Sequence, residues 1–490
     1  MGLRKELIKS NIYIIAGRII TGFILLLLSI IIARLLQPYQ FGFYSFVLTV
    51  TAFFSIFTDF GLSNTLIRFT SNYFSKKQFD KLSKLIQVII KYKIFLTIIF
   101  SIFMFLFPEQ IATYIFNKPE LSFMIPISAI LLIAQVIFNF INNLLSGLRD
   151  FKVLSINRIV QATLKFIFCI CLIFMGFNTI GAISGIILSF IIVIIFSIFI
   201  LWKKYNFLFK KSKFKINKNI IKKFSFYSWI STIIASIYIT VDKIMITNFL
   251  SVESIGFYMI AWSLTYSMLN FIPIANIVLF SYFSMHNTKK ILDKIYLKSI
   301  KYISIIVFPL SVSLSLFSKP IILILYKESY LSVIPALQVL AFLPIPLMLS
   351  RLSNSYLLGI KRPDIGAKII SLMLPLNIIL NYFLINIYGV GGAAISTLLV
   401  YLLQTLIFFY ILIYKHRVLF KMSDILKPFI TSIIIFIIFS YLPDTRSCYG
   451  LIIYGILFIL SYLLLLFIIK GITKKDIIYI LNPILSIIKK

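Results

Sequence analysis

The chain has 490 residues, is 61% hydrophobic and has a mean hydropathy of +1.04. A soluble globular domain of that composition has too little polar surface to cover itself, so the chain is read as membrane-embedded. Its formal net charge of +34 would suggest a nucleic-acid partner in a soluble protein, but the charges lie in short connections pinned to a bilayer, which excludes that reading.

A spanning helix needs about 20 apolar residues. Hydropathy predicts fourteen, over 11–35, 43–67, 85–107, 121–145, 153–176, 179–202, 224–249, 256–283, 302–326, 332–358, 365–388, 391–414, 426–443 and 448–469. Period-two alternation is absent, so a β-barrel is not expected. Connections after even-numbered spans hold nearly all the cations, from Lys76 and Lys77 after span 2 to Lys415 and Arg417 after span 12; Lys118, Lys327 and Arg446 are the exceptions. The positive-inside rule then puts both termini in the cytoplasm. Arg4, Lys5 and Lys9 precede an apolar stretch too long for a signal peptide's core, so none is expected.

Two segments recur. Residues 34–44, RLLQPYQFGFY, return as 248–258, NFLSVESIGFY, at an offset of 214; residues 147–184 return as 359–396 at an offset of 212. Both offsets preserve the direction of the spans, so the repeats are parallel. The expected fold is an all-α integral membrane protein with about 14 transmembrane helices: two pseudo-symmetric six-helix bundles plus two C-terminal helices. The expected domains are a first lobe at 1–202, a basic cytoplasmic linker at 203–223, a second lobe at 224–414, and 415–490 with spans 13 and 14 and an amphipathic cytoplasmic tail. Pro273, Pro309, Pro335, Pro344, Pro346 and Pro375 are expected to bend the second lobe, against Pro126 alone in the first.

Ionisable groups in hydrocarbon are costly and mark interiors or cavities. In span 5, Asn157, Gln161 and Lys165 repeat every four residues on one face. Lys165 lies roughly 18 Å into the span, near the midplane; it is read as a cationic spot for a phosphate or acidic sugar, the alternative being a lysine paired with a neighbouring carbonyl or Asp. Its counterpart in the second repeat is Asn377, and that of Cys169 is Asn381. Arg18 and Asp59 are placed at similar depth, allowing an ion pair; the alternative for Arg18 is substrate contact. Arg34, near the outer end of span 1, either lines the cavity or snorkels to the interface. In span 7, Asp242 leads as the coupling carboxylate, protonatable or sodium-binding, with a helix–helix salt bridge as its alternative; Lys243 beside it must point elsewhere. Asp59 is the second coupling candidate. Arg351 is assigned to the interface. No nucleotide-binding loop occurs, His286 and His416 are far apart, and Cys169, Cys171 and Cys448 form no metal or disulfide pattern. Neither a catalytic site nor a cofactor is expected, only coupling to Na+ or H+.

Asn11 and Gly17, LLQPYQFGFYS (35–45), DFGL (59–62) with Arg68, VDKIMITNFLS (241–251) with GFY (256–258), YLLGIKRPD (356–364) and NIILNYFLINIYGVGGAAIST (377–397) stand in an order and spacing that resemble the polysaccharide transport family of Wzx-like O-antigen flippases, in the multidrug/oligosaccharidyl-lipid/polysaccharide exporter superfamily. The resemblance covers residues 11 to about 470. It implies a V-shaped pair of helical bundles around a cationic cavity. It also implies transport of undecaprenyl-diphosphate-linked oligosaccharide to the outer leaflet of a bacterial inner membrane, with lipid-linked oligosaccharide, membrane lipids, a polysaccharide polymerase and chain-length proteins as partners. Intramembrane Glu is nearly absent, so the family does not supply the coupling residue. The competing expectations are a lipid II flippase, a multidrug exporter of the same superfamily, and, from another class, a polysaccharide polymerase or ligase, whose long external loop is missing.

Overall fold

The computed structural model describes residues 2–210, 214, 218–270, 289–360, 362–418, 420–442, 447–473 and 476. Pro273, His286, Arg446, the inner end of predicted span 8, nearly all of the predicted amphipathic tail and the side chain of Asn11 lie outside the described residues. Helices α1 (Gly2–Asp59), α2 (Leu62–Ser75), α3 (Phe79–Leu106), α4 (Met124–Gly147), α5 (Phe151–Leu172), α6 (Asn178–Lys204), α7 (Lys218–Phe249), α8 (Val252–Asn270) and α9 (Lys289–Leu316) come first. Then follow α10 (Ser318–Tyr326), α11 (Ile334–Leu340), α12 (Pro344–Gly359), α13 (Pro363–Tyr414), α14 (Ser423–Ser440) and α15 (Cys448–Ile468). The described regular structure is wholly helical.

Among the described residues nine helices are long and apolar enough to cross a membrane, ten if the pair Glu328–Leu340 and Pro344–Gly359, bent by 42°, is one span. Three of the nine run for 47, 54 and 51 residues. At about 1.5 Å per residue each is more than twice as long as a ~30 Å hydrocarbon core, and each is broken near its middle. Predicted spans 1 and 2, 5 and 6, and 11 and 12 are therefore joined as bent helices without intervening loops. The first break is Gln37 (φ 59°, ψ 170°), held out of the helix by Pro38, whose ring excludes the helical conformation at the preceding residue. The second lies at Gly176 and Asn178 (φ 45°, ψ −129°), and the third at Gly389 (φ 58°, ψ −133°). The last two have nearly the same dihedrals at nearly equivalent places in the repeat.

Pro335 and Pro344 stand in the first turns of α11 and α12, where a missing N–H costs little; the 42° bend between these helices falls just before Pro344. Pro309 and Pro375 lie inside α9 and α13.

The chain packs as two compact units, one of Met1–Phe271 with Ile370–Ser396 and the other of Ile272–Ile369 with Thr397–Lys490. In the first unit Leu66, Leu82, Leu85, Ile89 and Leu145 are fully buried, while Phe95, Ile102, Ile195 and Phe199 stay outside. Since lipid and core are equally apolar, small residues rather than hydrophobicity select the helix contacts. The repeated glycines illustrate this. Gly42 packs against the backbone of Val252, and a Cβ on Gly256 would lie 3.0 Å from Phe41 and 3.5 Å from the Gly42 Cα. Positions 42 and 256 are equivalent in the repeat, so this contact between α1 and α8 is made by the same motif from both sides. In the second unit, Phe458, Tyr462 and Leu466 of α15 pack on Phe439 and Ile435 of α14 and Val312 of α9. The Tyr462 hydroxyl donates to the Ile305 carbonyl at 3.0 Å.

Replacing Gly42 with Leu should force α1 and α8 apart and cost about 1–3 kcal/mol or more, read as a lower thermal midpoint of the detergent-solubilised protein; Gly455→Leu, where an added Cβ meets nothing within 4 Å, is the control.

Candidate functional site

The best-formed polar site surrounds Asp242 on α7, which is 2% exposed. Its Oδ2 accepts from the Tyr258 hydroxyl of α8 at 3.0 Å and its Oδ1 from the Asn381 side-chain amide of α13 at 2.7 Å. The same Asn381 nitrogen donates to Asn377 Oδ1 at 3.2 Å, and the Asn377 carbonyl accepts from Ser396 Oγ at 3.3 Å. Asn377 and Asn381 are as buried as Asp242. Asn381 Oδ1 meets no donor among the described residues. Carboxylate and amide oxygens thus gather in one buried place, a donor set suited to a small hard cation or a proton. Lys243, one residue on, turns away as expected: its Nζ sits 5.0 Å from the Trp262 ring centroid. Trp262 is stacked between Tyr258 and Tyr266.

Asp59 does not meet Arg18. Arg18 is exposed, and Asp59 at the end of α1 takes Lys93 of α3 at 2.9 Å instead. Lys93 also donates to Ser63 Oγ, which donates in turn to Asp59 and accepts from Asn143 of α4. The expected Arg18–Asp59 pair is thereby corrected. The chain turns sharply at Phe60 (φ 42°) and Gly61 (φ 69°), which carries Asp59 onto α3 and α4. A carboxylate already neutralised by a protein cation is a poor receptor for another.

Along α5 the four-residue stripe is real. Asn157 and Gln161 are buried, as is Cys169 one turn beyond Lys165. Gln161 donates to Ser189 Oγ of α6 at 3.3 Å, and Cys169 Sγ to the Ala182 carbonyl at 3.1 Å. Neither polar atom of Asn157 has a partner among the described residues. Lys165, half-buried on this inward stripe, makes no hydrogen bond or ion pair with any described residue. Arg34 is exposed near the end of the first limb of α1. Equivalent positions of the repeat have therefore taken different chemistry: ammonium and thiol at Lys165 and Cys169, two amides at Asn377 and Asn381.

Among the cations that the sequence reading passes over are Lys93 and Arg158. Each lies inside a predicted span, 85–107 and 153–176, which was the available signal. The apolar crevice of about 430 Å³ in the second unit, lined by Leu316, Val339, Phe342 and Phe436 among others, contains none of the candidate residues.

Replacing Lys93 with Met strands a mostly buried carboxylate and should cost about 3–5 kcal/mol, read as a fall in thermal midpoint. The double variant D59N/K93M should recover most of that loss.

The fold agrees with what the chain resembles. Residues 31–335, more than half of the chain, match the family described as polysaccharide biosynthesis protein. A membrane protein of Methanocaldococcus jannaschii, described as uncharacterized, is 26% identical over 424 residues, 82% of this chain and 83% of the relative. An uncharacterized membrane protein in the cps region of Klebsiella pneumoniae is 25% identical over 84% of this chain and 83% of its own length. A probable low-salt glycan biosynthesis flippase of Haloferax volcanii is 27% identical over 40% of this chain and 42% of its own. The solved lipid II flippase MurJ, in an inward closed conformation, superposes with a TM-score of 0.76 at 18% identity, covering 96% of this chain and 100% of that one. An inward-facing multidrug-resistance MATE transporter of the MOP superfamily superposes at 0.62 and 17% identity, over 84% of this chain and 94% of the other. These two likenesses concern the fold. This multi-pass helical membrane chain belongs to the polysaccharide biosynthesis protein family.

Proposed function

We propose that the chain is a transporter rather than an enzyme: a flippase that carries undecaprenyl-diphosphate-linked oligosaccharide, an O-antigen, capsule or exopolysaccharide repeat unit, across a bacterial inner membrane by alternating access, with both termini cytoplasmic. The observation that carries the reading is Lys165, an ammonium at mid-helix depth on the inward stripe of α5 that no described carboxylate neutralises. Such a group attracts an anion, and the anion of a lipid-linked sugar is its phosphate or an acidic sugar. Family membership, the glycan flippase among the relatives and the cps-region relative support the substrate class. In this reading Arg18 and Arg34 assist Lys165, and Asn157 and Gln161 offer hydrogen bonds. The Asp242–Asn381–Asn377 cluster takes the coupling Na+ or H+, so that filling it biases the transport cycle. A polysaccharide polymerase and chain-length proteins would receive the product.

The test is a surface-glycan assay in a strain dependent on this chain. Lys165→Ala should lower surface glycan at least tenfold while the protein still inserts in normal amounts; unchanged glycan removes Lys165 from the site. Asp242→Asn should abolish the dependence of transport on the ion gradient. Gradient-driven transport persisting in that variant refutes the coupling role.

A further inference from the structure

Helices α1 and α5 run parallel, residues 13–17 of α1 touching the first turns of α5. A Cβ on Gly17 would lie 2.8 Å from the Ser155 Cβ, and Ser155 Oγ donates to the Tyr13 carbonyl at 2.9 Å. Farther along, Thr179 just beyond α5 donates to the Gln40 carbonyl at 3.2 Å, which fixes the common direction. Arg18 follows Gly17 directly, and Arg158 lies one turn beyond Ser155. The crossing therefore holds both side chains at one level and on one side of the helix pair.

Arg18 and Arg158 make no hydrogen bond or ion pair with any described residue. The nearby acids are taken. Asp59 holds Lys93. Asp150 accepts from Lys204 at 2.5 Å, from the Tyr205 hydroxyl at 2.9 Å and from the backbone N–H of Val153. Arg158 is half-buried, so water screens it incompletely. Two planar, always-charged forks held side by side match two adjoining phosphates, each able to receive paired N–H donors. Seven residues farther along α5, on nearly the same face and roughly 10 Å up the helix, stands Lys165.

We propose that Arg18 and Arg158 form a two-guanidinium clamp for a diphosphate headgroup, on the approach to Lys165. The proposal rests on the flippase reading and adds Arg158 to it. The clamp selects a diphosphate over a monophosphate because a single phosphate leaves one guanidinium unmatched. Arg158 is a binding residue set by the α1–α5 crossing, and Arg18 is its exposed partner.

The test uses the full chain in lipid nanodiscs, with undecaprenyl diphosphate and undecaprenyl monophosphate as probes and inorganic pyrophosphate as competitor. Wild type should bind the diphosphate lipid at least tenfold more tightly than the monophosphate lipid, and pyrophosphate should compete. Arg158→Gln should remove most of that preference, Arg158→Lys should restore part of it, and R18Q/R158Q should be little worse than either single change. Monodisperse elution and an unchanged thermal midpoint exclude misfolding. Wild-type preference retained in Arg158→Gln, or equal losses for both lipids, overturns the clamp and leaves the flippase reading standing. Failure of wild type to bind either lipid overturns both.

Discussion

A carboxylate in hydrocarbon must be met by donors or by a cation, and the packing around Asp242 of α7 supplies donors from two further helices. Tyr258 approaches from α8, Asn381 from α13, and Asn377 steadies Asn381. None of these side chains gains much by burial in a bilayer, where lipid is as apolar as any core. Their hydrogen bonds supply directionality that apolar packing lacks, and they fix which faces of α7, α8 and α13 turn inward. Asp59 and Lys93 do the same for α1, α3 and α4. Each cluster is local, yet each joins elements distant in sequence.

The backbone complements these polar anchors. Long helices are broken at Gln37, Asn178 and Gly389 rather than joined by loops. A break inside a continuous helix keeps two limbs at a fixed angle with few unsatisfied groups, which matters where no water is available. Asn178 and Gly389 adopt nearly the same conformation, and asparagine and glycine are the residues that most readily take a positive φ.

The helical class, the membrane setting, the repeat and the stripe on α5 were legible in the sequence because each is a periodic signal in hydropathy or spacing. Asp242 was legible as an isolated acid in an apolar span. Its partner Asn381 was readable only as a repeat counterpart of Cys169. The partner of Asp59 was not: Arg18 and Asp59 match in depth, but depth says nothing about azimuth, and the turn at Phe60–Gly61 swings Asp59 toward α3. Arg158 was masked by its neighbour Asn157, which fitted the four-residue stripe. The fusion of predicted spans into bent helices was invisible because hydropathy dips at Gln37–Pro38 and at Gly389 just as it does in a loop.

The meeting of Gly42 with Gly256 has an evolutionary consequence. Two copies of one surface that touch through the same residues are what a homodimer presents about its two-fold axis. A chain of half this length, bearing a single GFY motif, would hold the face needed to pair with its own twin. Gene fusion would have made that association permanent and freed each copy to diverge, one keeping a lysine at the mid-membrane position and the other acquiring an asparagine.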